Sequence, residues 1–214
     1  VRMLDLFCGQ GLAAWGYWNS GKFSEIVGVD NDPEKLVRYS FDKYPGDALA
    51  LTYDFLMGFD FIHASPPCQA YSKITPHPER HLRLIAATHL MLTAAGVPYV
   101  IENVEGSSRE LRPNLVIDGM ALGLPMKRIR YFHLSTLRKP ARYMSNRPSV
   151  HKSGDLTRAE AIAAYGLGEI NPHRLKHMTL AGIEQGIPPA MTRLIAELMF
   201  PGYKAMSPSC AREI

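Results

Sequence analysis

An α/β fold built on a doubly wound, mostly parallel sheet is predicted by three features of the sequence. Short apolar runs alternate with amphipathic stretches through the first 134 residues. A glycine turn, Gly9-Gln10-Gly11, follows the first apolar run, and an acid, Asp30, closes the second. Alternation of this kind places helices on both faces of a parallel sheet, with ligands at the carboxyl ends of the strands.

Residues 3–7 read as a buried strand, and the stretch after the glycine turn as a helix from 12 to about 20. Glu25–Asp30 is the second strand. Asp32-Pro33-Glu34 joins a capping acid to a first-turn proline and predicts a helix running to about residue 44. Residues 59–64 are the third strand, 79–95 a helix and 98–102 the fourth strand, with fainter strand patterns at Leu115–Asp118 and Ile129–Leu134. Beyond 134 the periodicity fades into Arg-, Pro- and Ser-rich sequence, with short helices expected at 157–165 and 192–199. The expected organisation is a main domain of 1–134 completed by 179–200, with 135–178 as a small irregular insertion.

A chain of 214 residues with 46% hydrophobic and 21% charged content is long enough to bury one sizeable core. It has no run of 18 apolar residues and no charged-then-apolar leader, so no membrane partner is expected and a cytoplasmic setting is. Three cysteines, Cys8, Cys68 and Cys210, are too few for a disulfide framework, and none forms a C-x-x-C pair, so no metal is expected. The net charge of +4 is mild, but its distribution is uneven. Residues 126–152 hold Lys127, Arg128, Arg130, Arg138, Lys139, Arg142, Arg147 and Lys152 without one acid. A basic block on an otherwise slightly acidic body points to a polyanion such as nucleic acid.

Four segments carry the chemistry. In Asp5-Leu6-Phe7-Cys8-Gly9-Gln10-Gly11, glycines let the backbone approach a ligand. Asp30 stands where a carboxylate accepts from both ribose hydroxyls. The turn lacks a dinucleotide fingerprint's third glycine and a phosphate-loop lysine, which favours a nucleoside cofactor without pyrophosphate: S-adenosylmethionine. In Ser65-Pro66-Pro67-Cys68-Gln69 two prolines stiffen a strand exit and a thiol follows. Glu102, leaving the fourth strand in Ile101-Glu102-Asn103-Val104, suits a proton donor of raised pKa and equally a helix cap or an arginine partner. Arg128 and Arg130, if on a strand, share one face.

In this order the segments resemble the DNA (cytosine-5) methyltransferase family: DLFCGQG (5–11), GVD (28–30), SPPCQ (65–69), IENV (101–104), RIR (128–130) and GIPPAMTRLIAELM (186–199). The resemblance implies a Rossmann-like S-adenosylmethionine-dependent methyltransferase that acts on C5 of cytosine through a covalent bond from Cys68 to C6. It implies that Phe7 lies against the adenine and that Gly9, Gln10 and Gly11 hold the methionine moiety. Asp30 would bind the ribose, Asn31 and Asp47 would attend the adenine, and Pro66 would shape the cofactor pocket. Glu102 and Arg130 would hold the cytosine, with Arg128 in support. The segment 69–83, with Gln69, Ser72 and Arg80, would close over DNA as a mobile loop, and Arg138, Lys139 and Arg142 would meet phosphates. The DNA is either a duplex with the base extruded or a single strand.

The chain departs from the family pattern at four places. Met126 replaces a usual glutamine, Leu12 a usual glycine, and Glu184-Gln185 a usual Gly-Asn, leaving Gln185 as the stand-in cofactor contact. About 55 residues separate Arg130 from Gly186, so a reduced target-recognition region and relaxed sequence specificity are expected. Competing readings are a tRNA cytosine-5 methyltransferase, a catalytically idle nucleic-acid-binding relative and a general Rossmann oxidoreductase. The first is disfavoured by the absence of a Cys-Phe-Thr tripeptide and the last because it explains neither Cys68 nor Glu102. A monomer of bacterial origin, or phage-encoded and acting in the host cell, is expected. Restriction–modification, protection of a mobile element and gene regulation fit equally.

Overall fold

The structure is a computed structural model and describes residues 1–150 and 156–202. His151, Lys152 and Cys210 lie outside the described residues. The first half runs β1 (Arg2–Leu6), α1 (Leu12–Asn19), β2 (Glu25–Asp30), α2 (Pro33–Leu36), β3 (Asp42–Pro45), α3 (Tyr53–Met57), β4 (Phe61–Ala64) and α4 (Ile85–Ala95). The second half runs β5 (Tyr99–Asn103), α5 (Ser108–Leu111), β6 (Leu115–Asp118), β7 (Ile129–Leu134) and β8 (Ala141–Tyr143). It ends with α6 (Arg158–Ala164), α7 (Pro172–Leu175), α8 (Leu180–Gln185) and α9 (Pro189–Met199).

The strands form one sheet in the order β3-β2-β1-β4-β5-β7-β6-β8. Only β7 runs against its neighbours, pairing antiparallel with β5 and β6. The strand order reverses direction at β1/β4, so the ends of β1, β2, β4 and β5 open onto a common edge. The central strands are apolar throughout because both faces are covered. One face packs Met3, Phe61, Val100 and Phe132 against α1 and α9; the other packs Leu4, Ile62 and Ile101 against α4. A third cluster gathers Leu12, Trp15 and Met126 with α6–α8.

Three expected elements differ. The helix predicted to residue 44 stops at Leu36, although Asp32 caps it through the amides of Glu34 and Lys35 as expected. The chain turns inward instead, so that the Tyr39 hydroxyl donates to the buried Asp5 carboxyl at 3.0 Å, and 42–45 then joins the sheet edge as β3. Proline at Pro45 is tolerated because β3 is an edge strand. The helix predicted from 79 begins only at Ile85. The preceding turn is held open by Arg83, whose guanidinium pairs with Glu110 at 2.6 Å and lies over the Tyr71 ring. The C-terminal helix starts at Pro189 rather than 192, with proline at its first position.

The segment 135–178 is not wholly an insertion. Its strand β8 pairs with β6 and forms the sheet's outer edge. No helix among the described residues is long and apolar enough to cross a membrane.

Candidate active site

Two turns follow the adjacent parallel strands β1 and β4 at the same edge of the sheet. After β1 the chain reverses through Phe7, Gly9 and Gly11, all at positive φ (56°, 55° and 87°), a conformation that costs glycine little. A side chain at Gly9 would meet nothing within 4 Å, so the turn borders open space. The Asp30 carboxylate secures this turn, accepting from the Gly9 amide at 2.8 Å and the Asp32 amide at 2.9 Å. Each oxygen takes a single bond there, leaving acceptor capacity for a ribose hydroxyl. α1 opens on Gly11 with no side-chain cap, so its first-turn amides lack the usual partner and suit a carboxylate. This donor and acceptor set fits the methionine and ribose ends of S-adenosylmethionine.

The other expected cofactor residues are placed unevenly. Gln10 spends its side chain on Thr179, donating to its hydroxyl at 2.9 Å and accepting from its amide at 2.8 Å, so only its backbone is free to serve a ligand. Asn31 is exposed beside Asp30, and exposed Asp47 caps a short turn through the Leu49 amide. Gln185 is exposed at the end of α8. Leu12 is buried against Gly186, in the same cluster as Met126.

At the end of β4 the chain leaves through buried Pro66, whose carbonyl accepts from the Asn103 side chain at 2.8 Å. The Cys68 carbonyl then accepts from the amides of Tyr71 and Ser72, closing a turn that presents the Cys68 side chain outward. Glu102, on the neighbouring β5, is 6% exposed and pairs with the Arg130 guanidinium at 2.8 Å. Their meeting follows from register. Glu102 faces Phe132 across β5–β7, and Arg130, two residues from Phe132, lies on the same side of the sheet.

Arg128 lies one residue ahead of β7, so it does not share a strand face with Arg130. Its side chain turns inward, donating to the Gly186 carbonyl at 3.2 Å and resting over the Tyr165 ring, while its Nε has no hydrogen-bond partner. Burial and the neighbouring Arg130 charge lower its pKa to about 10.

The charges of this cluster act on one another. Burial pushes the Glu102 carboxyl up, against the pull of Arg130, Arg128 and a hydrogen bond from Ser65. The Cys68 thiol is also raised, by partial desolvation and the Glu102 charge, while Arg130 and Arg128 oppose the rise. Cys8 contrasts with it: the residue is buried, and its thiol is pushed far up by desolvation.

Sequence reasoning missed the polar chain behind Glu102. Fully buried Tyr17 and His63 share a hydrogen bond of 2.9 Å, and the other nitrogen of His63 meets the Ser65 hydroxyl at 2.7 Å. Desolvation lowers the His63 pKa to about 3, so its ring is neutral. If Tyr17 donates to Nδ1, Nε2–H donates to Ser65 and Ser65 donates to Glu102, which satisfies every member in one direction. A lone histidine in an apolar strand carries no sequence signal for this. Asn103 was within reach, since it stands in the Glu-Asn-Val tripeptide.

The expected closing loop is pinned at its ends. Tyr71 and Arg83 both bond Glu110, and Lys73 pairs with Glu105 at 3.2 Å. Gln69 and Arg80 are exposed on it, and Ser72 is half-buried. The structure does not bring Arg138 and Lys139 to the site. β7 runs antiparallel, so Leu134 lies opposite Val100 near the start of β5, and the β7–β8 connection sits at the far end of the sheet from Cys68. Arg142, on edge strand β8 opposite Val116, is separated from β5 by two strands.

The Glu102 charge gives a test that does not need turnover. With Glu102→Gln, the thiol loses a raising charge and Arg130 loses its partner, so the Cys68 pKa falls. Iodoacetamide should modify Cys68 several-fold faster at neutral pH in this variant, read by peptide mass spectrometry. An unchanged or slower rate would show that the two groups do not interact.

No protein-family model matches the chain, and no curated protein matches it in sequence. Solved structures with a similar fold include two methyltransferases. One is an E. coli prophage-encoded protein described as a DNA modification methyltransferase, with 19% identity, a TM-score of 0.49, and coverage of 62% of this chain and 45% of that one. The other is the S. pombe Dnmt2 methyltransferase, with 17% identity, a TM-score of 0.50, and coverage of 66% and 52%. The chain thus spans about half the length of each. The likeness to the S. pombe structure and the sheet order together make this a Rossmann-like methyltransferase fold.

Proposed function

We propose that this chain transfers a methyl group from S-adenosylmethionine to C5 of cytosine in DNA. One observation carries the reading: an outward-facing thiol at the end of β4 shares its electrostatic environment with a buried carboxyl–guanidinium pair at the end of β5. The glycine turn and Asp30 lie on the next strands across the same edge.

C5 of cytosine is a poor nucleophile. Addition of the Cys68 thiolate to C6 makes C5 enamine-like, and the ring then needs its growing charge neutralised. Glu102, whose carboxyl is pushed up by burial, holds the base edge and shares a proton with N3, which neutralises the charge growing on the ring. Arg130, fixed by Glu102, is placed to hold the base oxygen. Bound S-adenosylmethionine supplies an electrophilic methyl group. Solvent water then takes the C5 proton, the C5–C6 double bond re-forms and the Cys68 sulfur leaves C6 as thiolate.

Within this reading, 1–143 with 179–200 form the catalytic body and the remaining C-terminal elements form a small recognition region. The test is incubation of the purified chain with tritiated methyl donor and separate DNA and RNA substrates, followed by bisulfite sequencing. Label at cytosine C5 of DNA is expected. Label confined to tRNA would replace this reading by the RNA one, and donor binding without label on either would favour an idle relative.

A further inference from the structure

A groove of about 450 Å³ lies between the α2–β3 connection and α7. Arg38, Lys43, His173, Arg174, Lys176 and His177 line it, with no acid among the lining residues. Among the described residues none of these six forms an ion pair with a carboxylate. The walls are tied together, since Arg38 donates to the His177 carbonyl at 2.8 Å. Lys43 is held by the carbonyls of Val37 and Tyr39, which fix its position without cancelling its charge. A folded chain that gathers four full cations and two imidazoles without a counter-charge pays for their repulsion, and a multivalent anion relieves it.

We propose that this groove binds the phosphodiester backbone of the nucleic acid whose base is methylated, an assignment that rests on the function proposed above. Two features favour a backbone over a base or a free nucleotide. Both aromatic lining residues are already engaged: Tyr39 is 3% exposed, bonded to Asp5 and packed beneath Gly11 and Gly28, and half-buried Phe41 packs its ring against Trp15, Trp18 and Tyr39. Recognition there is by charge, which suits phosphates. The groove also backs onto the catalytic edge. Tyr39 supports the glycine turn, Gln10 bonds Thr179 next to the α7 wall, and β3 is three strand spacings from β4. At roughly 4.8 Å per spacing this is about 15 Å, a separation that a few nucleotides span.

The charge lies where the sequence did not place it. The acid-free block of 126–152 drew attention to Arg138 and Lys139, whereas the groove draws Arg38 and Lys43 from one part of the chain and Arg174 and Lys176 from another.

The test compares two charge reversals of equal size in the full chain, Arg174→Glu with Lys176→Glu and Arg138→Glu with Lys139→Glu. Binding of a fluorescent 20-base-pair DNA duplex is measured across a salt titration, with donor binding and melting temperature as controls. The groove pair should weaken DNA binding at least tenfold near 0.1 M salt and reduce the log–log salt slope by about two. The far-end pair should change affinity less than threefold, and neither pair should alter donor binding. Arg174→Gln with Lys176→Gln should lose affinity in the same direction and guards against misfolding of α7. Equal effects from both reversals, or none from the groove pair, would overturn the assignment. Tripolyphosphate bound by the wild type and lost in the groove pair, with duplex affinity unchanged, would overturn it in favour of a free phosphate ligand. Groove-dependent DNA binding without methyl transfer would instead sink the proposed reaction and leave the groove standing.

Discussion

Cys68→Ala is expected to abolish methyl transfer, with a loss of at least about 10⁴-fold, while leaving donor binding and the melting temperature unchanged. The residue is exposed, and its carbonyl, which closes the turn onto Tyr71 and Ser72, survives the substitution. Stability therefore has little to lose. Chemistry has everything to lose, because Glu102 polarises the base but does not make C5 nucleophilic by itself. Cys68→Ser should be nearly as inactive, since a hydroxyl ionises far less readily than the thiol. In the wild type, turnover should rise with pH toward the thiol's titration: desolvation and the Glu102 charge hold its pKa up, so the thiolate fraction grows as pH increases. A pH–rate profile and single-turnover labelling would check this. Residual labelling of cytosine by Cys68→Ala within tenfold of wild type would remove covalent catalysis from the account.

Gly16→Ala should produce a clear loss of stability. Gly16 lies in α1 where α9 crosses it, and a Cβ there would sit 2.0 Å from the Thr192 hydroxyl and 2.1 Å from the Pro189 carbonyl. Neither neighbour yields easily. Pro189 offers backbone at the start of α9, and Thr192 is buried with its hydroxyl donating to the Ala13 carbonyl at 2.8 Å. Alanine gains about 1 kcal/mol of helix propensity over glycine. A clash this close puts overpacking at about 3 kcal/mol, so a net destabilisation of about 2 kcal/mol is expected, a fall of roughly 4–8 °C in melting temperature for a chain of this size. Thermal unfolding by circular dichroism checks it, and an unchanged or raised midpoint would mean that the helices separate at little cost. The helix–helix approach also explains why glycine stands mid-helix, a position that reads from sequence alone as a weakness.

Much of the architecture was legible because it rests on local chemistry. Glu25–Asp30, Leu115–Asp118 and Ile129–Leu134 form strands at the bounds their apolar patterns suggested, and α1 starts directly after the Gly9–Gly11 turn. Glu102 and Arg130 pair at one edge of the sheet, and Cys68 lies near enough to feel both charges. Other features depended on distant partners. The stretch after Pro33 had a correct helix start, but its length was decided by the bond from Tyr39 to Asp5. Asp5 itself, fully buried and raised to about 7 by desolvation, reads in sequence as one more acid. Its partner lies 34 residues away.

Charge was the least legible property. A run of basic residues in sequence becomes a patch only if the backbone keeps it together, and the antiparallel course of β7 carries Arg138 and Lys139 away from Arg130 to the opposite end of the sheet. The sequence by itself determined the alternation of strands and helices, the glycine turn and the identity of the thiol and carboxyl, because each depends on neighbours within a few residues. Only the tertiary structure decided how Glu102 is paired and buried, which cations gather in the groove and why Gly16 has no side chain. Those properties arise from atoms far apart in the chain, and periodicity along a strand or helix contains no record of what packs across from it.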